Sequence, residues 1–448
     1  MERKDILNNL GIESLNAMQE AALSNYGQCC NMVLLSPTGS GKTLAFVLPL
    51  LESLRRESDA VQAVVIVPSR ELAQQIDGVI KSSKCEFTSV ALYGGRPAME
   101  EHRMLKGVKP AIVVATPGRL LDHISKGNIE AGTVTTLVID EFDKCLELGF
   151  HDEMAEVMGK LSHLFKKVLV SATDSEEIPE FVGLAEHQKV GRGQQPIVRL
   201  NYLSGDESLE GRLSIYKVAS PEKDKLETLL RLVCTFGASG SIVFVNYREA
   251  VERVGRFLQS KGVACSMFHG GMEQRDREKA LYMFSNGSCN VFVSTDLASR
   301  GLDIADVGNI VHYHLPQSLD AFTHRNGRTA RWDGEGRSFV ILGPEEHMPE
   351  FVSGEAPEFE LPQESRKPAL PRFTTLYIGR GKKDKVNKID IAGFLYKGGG
   401  LSKDDVGRID VRERCSFVAV SRKKFKQMIN LIRGEKIKGQ RTIFEEAK

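Results

Sequence analysis

The sequence predicts an α/β protein with two parallel-sheet domains in tandem, followed by a small basic α+β domain. Three observations carry this. Short apolar runs separated by helix-length amphipathic stretches come in two successive sets, the pattern of parallel sheets covered by helices on both faces. The pattern is interrupted twice, by a polar stretch at about residues 187–210 and a Pro/Glu-rich stretch at 344–371. The charge is also uneven. From Arg372 to Lys448 there are 20 Lys/Arg against 9 Asp/Glu, a net of +11 on a chain of 448 residues whose total is +1.

The first set of apolar runs is Met32–Leu35, Ala63–Val67, Ala111–Ala115, Thr136–Ile139 and Lys167–Val170. The second is Ser241–Val245, Ala264–Phe268, Asn290–Ser294, Asn309–Tyr313 and Ser338–Leu342. Each is short enough for a doubly buried strand. Residues 1–186 and 211–343 are therefore expected to form the two α/β domains, with a connection between them. Residues 344–371 hold six prolines and seven glutamates, a composition too polar and broken to pack, and are expected to be a linker. Beyond it, Thr374–Gly379 and Ser416–Val420 read as strands. Phe425, Met428, Ile429 and Ile432 share one helical face.

With 41% hydrophobic residues the chain can bury large cores, which excludes a disordered polymer. No apolar run reaches ~18 residues, so no membrane span is expected. The first residues lack the apolar core of a signal peptide. The eight cysteines form no CxxC, which fits reduced thiols in a cytoplasmic protein and argues against zinc.

The chemistry centres on Ser36-Pro37-Thr38-Gly39-Ser40-Gly41-Lys42-Thr43, which follows the run Met32–Leu35 and opens a helix-like Leu44–Leu51. Gly39 and Gly41 let the backbone turn so that several N–H groups face one anion, and the helix N-terminus adds positive charge. Lys42 offers a cation to the β- and γ-phosphates of ATP, and Thr43 a hydroxyl to Mg²⁺. Ser36 stands where the usual first glycine would be. Leu137–Ile139 leads into Asp140-Glu141-Phe142-Asp143. Asp140 is placed to hold Mg²⁺, and Glu141 to orient and deprotonate an attacking water. In His324-Arg325-Asn326-Gly327-Arg328-Thr329-Ala330-Arg331, Arg328 and Arg331 are three apart and share a helical face. They suit the charge that develops on a γ-phosphate, and delivery from a second domain makes catalysis depend on domain closure.

Taken in order, the phosphate loop, Asp140–Asp143, Ser171-Ala172-Thr173 and His324–Arg331 resemble the motifs of DEAD-box ATP-dependent RNA helicases over about residues 6–343. The resemblance implies two RecA-like P-loop domains. It makes Gln19 the reader of adenine and Asp303 a ribose contact, with Ser36, Thr38, Gly39, Ser40, Gly41, Lys42 and Thr43 around the nucleotide. It makes Asp143, Ser171, Thr173 and His324 the coupling between the ATP and RNA sides. Pro68, Arg70, Gly95, Thr116, Arg119, Thr295 and Arg300 fall on the family's RNA-contact motifs, and His269-Gly270 with Gln274 and Arg277 matches a further motif of the second domain. Phe142 stands where the family has Ala, Leu15-Asn16 where it has Pro-Thr, Glu2 where an aromatic stacks on adenine, and His314 where it has Asp. ATP hydrolysis is expected to survive these departures better than adenine selectivity, and Phe142 is expected to alter packing near the RNA or Ser171–Thr173.

Thr375–Gly379 and Glu413–Val420 are similar to the strand motifs of an RRM-like domain, with Tyr377 and Phe417 at sheet-face aromatic positions. Cys415 and Val420 replace two further aromatics, which weakens a base-stacking face. The clusters Arg380–Lys388, with Arg380, Lys382 and Lys383, and Arg422–Lys426 offer phosphate contacts instead. The combination resembles the DbpA subfamily, which implies a large-subunit (23S-type) ribosomal RNA hairpin as target, local unwinding in ribosome assembly, and a monomer. An ATP-gated RNA clamp or chaperone is the alternative, and a DNA translocase the more distant one.

Overall fold

The structure is a computed structural model. It describes the chain apart from residues 1–2, 38, 96–97, 175–177, 185–194, 204–212, 297–303, 305–306, 330–334, 353–355, 365, 413 and 448. The described residues divide into two compact units, one within 1–210 and the other within 211–448.

The first unit is built on a sheet of strands β1 (Cys29–Leu35), β2 (Ala63–Ile66), β3 (Ser89–Leu92), β4 (Ile112–Ala115), β5 (Thr136–Ile139), β6 (Lys166–Ser171) and β7 (Gln195–Asn201). Their order is β3-β4-β2-β5-β6-β1-β7, and the pairings are parallel. Successive side chains of a strand point to opposite faces, so Met32 and Leu34 enter one core layer while Val33 and Leu35 enter the other. Helices close both layers. Phe142 is fully buried with Leu35, Ile139 and Leu169 in the second layer, so the departure at this position is absorbed by the core.

Strand β7 corrects one expectation. Gln195–Asn201 lies in the stretch read as an interdomain connection, yet it pairs along β1 from Cys29 to Leu35. An edge strand has one neighbour and one buried flank, so it carries little of the apolar run that marks the central strands.

The second unit repeats the plan with β8 (Leu213–Ala219), β9 (Ser241–Val245), β10 (Cys265–Phe268), β11 (Val291–Thr295), β12 (Asn309–His312) and β13 (Gly336–Leu342). The order is β10-β11-β9-β12-β13-β8, again parallel. Residues 344–371 form almost no regular structure, but they pack, contrary to expectation. The Phe359 ring lies 5.1 Å from Phe339 and 5.8 Å from Tyr216. The Phe359 N–H donates to the Lys217 carbonyl at 2.8 Å, and Lys217 N–H to the Pro357 carbonyl at 3.0 Å. Arg231 donates to the Pro362 carbonyl at 2.7 Å. A few spaced apolar anchors and backbone bonds hold a chain that prolines keep from forming helix or strand.

The basic domain has β14 (Phe373–Ile378), β15 (Val406–Val411), β16 (Ser416–Ser421) and, after a short hairpin of β17 (Lys436–Ile437) and β18 (Gln440–Arg441), β19 (Phe444–Glu446). The sheet order is β15-β16-β14-β19, antiparallel. Helices Lys388–Lys397 and Arg422–Leu431 cover one face, which carries Leu376, Ile378, Val418 and Val420. The other face meets helix Gln274–Ser285 of the second α/β domain. The Tyr282 ring packs 5.0 Å from Phe417, and its hydroxyl donates to the Phe417 carbonyl at 2.9 Å. Asn286 donates to the Thr375 hydroxyl at 2.9 Å, which in turn donates to Ser288 at 2.8 Å. The face that stacks bases in RRM-type domains here packs against helix Gln274–Ser285 of the second α/β domain.

Candidate functional site

In a parallel sheet the carboxyl ends of neighbouring strands open at one edge, where ligands bind. β1, β6 and β5 are adjacent, so the loop Ser36–Thr43, the segment Ser171–Thr173 and the acidic Asp140–Asp143 emerge side by side. Hydrogen bonds join them: Ser36 N–H to the Ser171 carbonyl at 3.1 Å, and the Thr173 hydroxyl to Asp143 Oδ2 at 2.9 Å. Ser171 Oγ donates to the Thr173 carbonyl at 2.6 Å.

Gly39 and Gly41 have φ of +90° and +89°, the left-handed region open to glycine. At Gly41 a Cβ would lie 2.5 Å from Gln19 Nε2. That amide donates to the Gly41 carbonyl at 3.2 Å, and Asn16 Nδ2 to the Ser40 carbonyl at 2.9 Å. Asn16 and Gln19 also cap one another reciprocally at the start of helix Ala17–Tyr26, a capping box. Asn16, where the family has Thr, thus clasps the phosphate loop. Lys42 opens helix Lys42–Ser53, and its ammonium donates to the Pro37 carbonyl at 3.0 Å. The Ser36 hydroxyl donates to Ser40 Oγ at 2.7 Å.

Burial, then the neighbouring Glu141, pushes Asp140 up to about 7, although Lys42 pulls it back. Glu141 has φ +50°; its N–H bonds Asp140 Oδ1 at 3.0 Å, and its buried Oε2 has no hydrogen-bond partner among the described residues. A buried Asp140 beside a half-buried Glu141, one of whose oxygens has no partner among the described residues, fits a divalent cation and a bound water.

The first-unit segments expected to contact RNA sit at the ends of β2, β3 and β4. Pro68 precedes helix Arg70–Ser82, which Ser69 caps by accepting from Leu72 N–H at 3.2 Å. Thr116 precedes helix Pro117–Ser125, whose first turn carries Arg119. Gly95 has φ +92°, and a Cβ there would lie 2.6 Å from Arg70 Nη1. Gly95→Ala is therefore expected to cost about 1–2 kcal/mol and to displace Arg70, raising the RNA concentration that half-saturates ATPase activity. An RNA titration of ATPase beside a thermal melt checks this.

In the second unit, Arg325 is almost fully buried and holds four segments together. It forms a bidentate pair with Asp296 at 2.5 and 2.7 Å, and donates to Asn246 Oδ1 at 2.8 Å and to the His314 carbonyl at 2.8 Å. His314, where the family has Asp, thus contributes its backbone to this network, and its Nδ1 accepts from Asn246 N–H at 3.1 Å. Thr295 is buried at the end of β11. His324 lies 3.0 Å from Asp320, and Arg328 is buried in the turn just past the end of helix Leu319–Asn326, not on a helical face. Arg380 pairs with Asp384 at 2.8 Å, and Lys382 and Lys383 in the same loop are exposed. Tyr377 lies edge-on to Phe417 at 5.6 Å, on the covered face rather than on an open platform. Thr38, Arg300, Asp303 and Arg331 lie outside the described residues.

Burial, and then the Arg325 charge, lowers His312 to about 3. Its unfolded value is ~6.5, so between those values the unfolded chain holds the extra proton and stability falls as pH drops. The contribution at pH 5 is about 2 kcal/mol. The urea midpoint should therefore fall more from pH 7 to 5 in the parent than in His312→Gln; equal losses would show that His312 is not held neutral.

Sequence reading passed over Arg325, Tyr282 and Glu101. Arg325 stands inside a recognised motif, and the pattern Asn16-x-x-Gln19 is itself a capping signal. Glu101 and Tyr282 carry no local signal.

Three family models match the chain: DEAD/DEAH box helicase over residues 16–181, helicase conserved C-terminal domain over 224–333, and DbpA RNA binding domain over 375–446. The ATP-dependent RNA helicase DbpA of Escherichia coli (strain K12) is 33% identical over 443 residues, 97% of this chain and 94% of that protein. DbpA of Bacillus subtilis (strain 168) is 27% identical over 471 residues, 97% of this chain and 95% of that protein. A structure of S. cerevisiae Dbp5 bound to RNA and ADP BeF3 shares the fold with a TM-score of 0.65 and 25% identity, covering 76% of this chain and 88% of that one. With the phosphate loop, the acidic strand end and the basic third domain already in place, these matches show that the chain belongs to the DEAD-box ATP-dependent RNA helicases, in the DbpA subfamily.

Proposed function

We propose that this helicase is an RNA-stimulated ATPase that opens short duplexes locally, without processive movement, in large-subunit ribosomal RNA during ribosome assembly. The observation that carries the reading is the third domain. It is basic, it matches the DbpA RNA binding model, and its loop keeps Lys382 and Lys383 exposed beside a half-buried Arg380 while its sheet is docked on the second helicase domain. Phosphate contacts through such a loop position the protein on a structured RNA without reading many bases. A 23S-type hairpin bound there would bring neighbouring helices to the core. The protein acts as a cytoplasmic monomer in this reading.

In the core, Lys42 and the amides of Ser36–Thr43 hold the ATP phosphates, with Gln19 and Asp303 toward the nucleoside. Bound Mg²⁺ would neutralise the β- and γ-phosphates; Thr43 and Asp140 are the residues that would hold it. Glu141 takes the proton of the attacking water. Arg328 and Arg331 answer the charge that develops on the γ-phosphate. Pro68, Arg70, Gly95, Thr116, Arg119, Thr295 and Arg300 meet the RNA backbone. Asp143, Ser171, Thr173 and His324 tie nucleotide state to RNA grip. The test is ATPase stimulation by ribosomal RNA fragments against generic RNA of equal length, with strand displacement measured alongside. Equal stimulation overturns the target, turnover without displacement favours the clamp, and equal stimulation by DNA overturns the RNA reading.

A further inference from the structure

Glu101 lies in the first turn of helix Ala98–Val108, beside Glu100. Acidic residues there usually answer the helix dipole from the surface, as the exposed Glu100 can. Glu101 is different, with a side chain 1% exposed. A buried carboxylate is costly unless its oxygens are fully engaged, and these are. Oε1 accepts the Tyr93 N–H at 3.2 Å. Oε2 accepts Arg119 Nε at 2.6 Å and His123 Nε2 at 3.0 Å. Asn128 Nδ2 lies 3.1 Å from His123 Nδ1, so a neutral imidazole with its proton on Nε2 satisfies both neighbours. Burial pushes Glu101 up, but the hydrogen bonds from His123, Arg119 and Tyr93 outweigh it and hold the group below its ordinary value.

These donors are not scattered. Tyr93 immediately precedes Gly94-Gly95, and Arg119 and His123 lie one turn apart on helix Pro117–Ser125. One carboxylate therefore joins two of the segments read as RNA contacts. It holds Arg119 by Nε, at the root of the guanidinium, so that the side chain has one orientation and 16% exposure. We propose that Glu101 is a positioning residue for RNA binding, holding Arg119 and the Gly94-Gly95 turn in the geometry that grips the RNA backbone. This rests on the reading of those two segments as RNA contacts. The carboxylate matters as such. Glutamine has one acceptor oxygen, so its NH₂ group must face donors on either the Tyr93 side or the Arg119/His123 side. Aspartate keeps the charge but withdraws it by one methylene.

The experiment is a titration of ATPase activity with single-stranded homopolymer RNA at saturating ATP, on the full chain, with thermal melts. Glu101→Gln is expected to raise the half-saturating RNA concentration by about tenfold while turnover at saturating RNA is retained. Glu101→Asp should act in the same direction, which keeps the test open if the glutamine variant folds poorly. Adding Glu101→Gln to Arg119→Ala should produce clearly less than its full separate loss, because part of its effect acts through Arg119 and the rest through the Gly94-Gly95 turn. A lowered melting temperature with unchanged half-saturation means a purely structural role and overturns the proposal. Additive losses in the double variant overturn it too. If Arg119→Ala itself leaves half-saturation unchanged, the RNA-contact reading falls, and the proposal with it; a silent Glu101→Gln beside a weakened Arg119→Ala removes the proposal alone.

Discussion

Glu141→Gln should bind ATP and RNA and turn over at least about 10²-fold more slowly than the parent. Gln is close in size and shape, so the fold and the nucleotide contacts persist. It can still orient a water but cannot take its proton. The geometry makes Glu141 the group to change. Its backbone sits at φ +50°, tied by its N–H to Asp140, and one carboxylate oxygen is buried with no partner among the described residues. A side chain held this way, with an acceptor unused by the described residues, is set to receive a hydrogen bond from a reacting water. Single-turnover ATP hydrolysis with saturating RNA, beside direct measurement of ATP and RNA binding, checks the result. Near-normal hydrolysis would place the base elsewhere, and loss of ATP binding would mean the substitution had disturbed the loop.

Removing residues 372–448 should leave basal ATPase activity and abolish the preference for ribosomal RNA fragments, a loss of about tenfold or more in apparent affinity. The structure shows that this deletion has a second effect. It uncovers Tyr282 and removes the partner of Asn286, leaving apolar surface and a polar group without its bond on the second helicase domain. A companion variant with Arg380, Lys382 and Lys383 changed to Ala keeps the docked face intact. It should lose the preference for the ribosomal fragment, and its affinity should depend less steeply on salt, since fewer phosphates are neutralised. An unchanged preference in both proteins would contradict the role given to this domain.

Much of the architecture could be read from single segments. Central strands such as Ala63–Ile66 and Thr136–Ile139 are buried on both faces, so their apolar runs are continuous and visible without knowing their neighbours. The phosphate loop and the acidic strand end are equally local. Each is a stretch in which backbone conformation and chemistry are set by adjacent residues, such as glycines at positive φ and a helix starting at Lys42.

What needed the tertiary structure depends on groups distant in the chain. Strand β7 is recognisable only against β1, whose partner residues are more than 160 positions away. The packing of residues 344–371 rests on isolated anchors such as Phe359, which have no period. Glu101 reads as one more helix-start acid until strand order brings Tyr93, Arg119 and His123 around it. Tyr282 and Phe417 are 135 positions apart, and neither strand nor helix pattern says that one covers the other. Side-chain period reports which face of an element is buried, because the backbone repeat imposes it. It does not report what the buried face meets, which is decided by sheet order and by how one domain docks on the next.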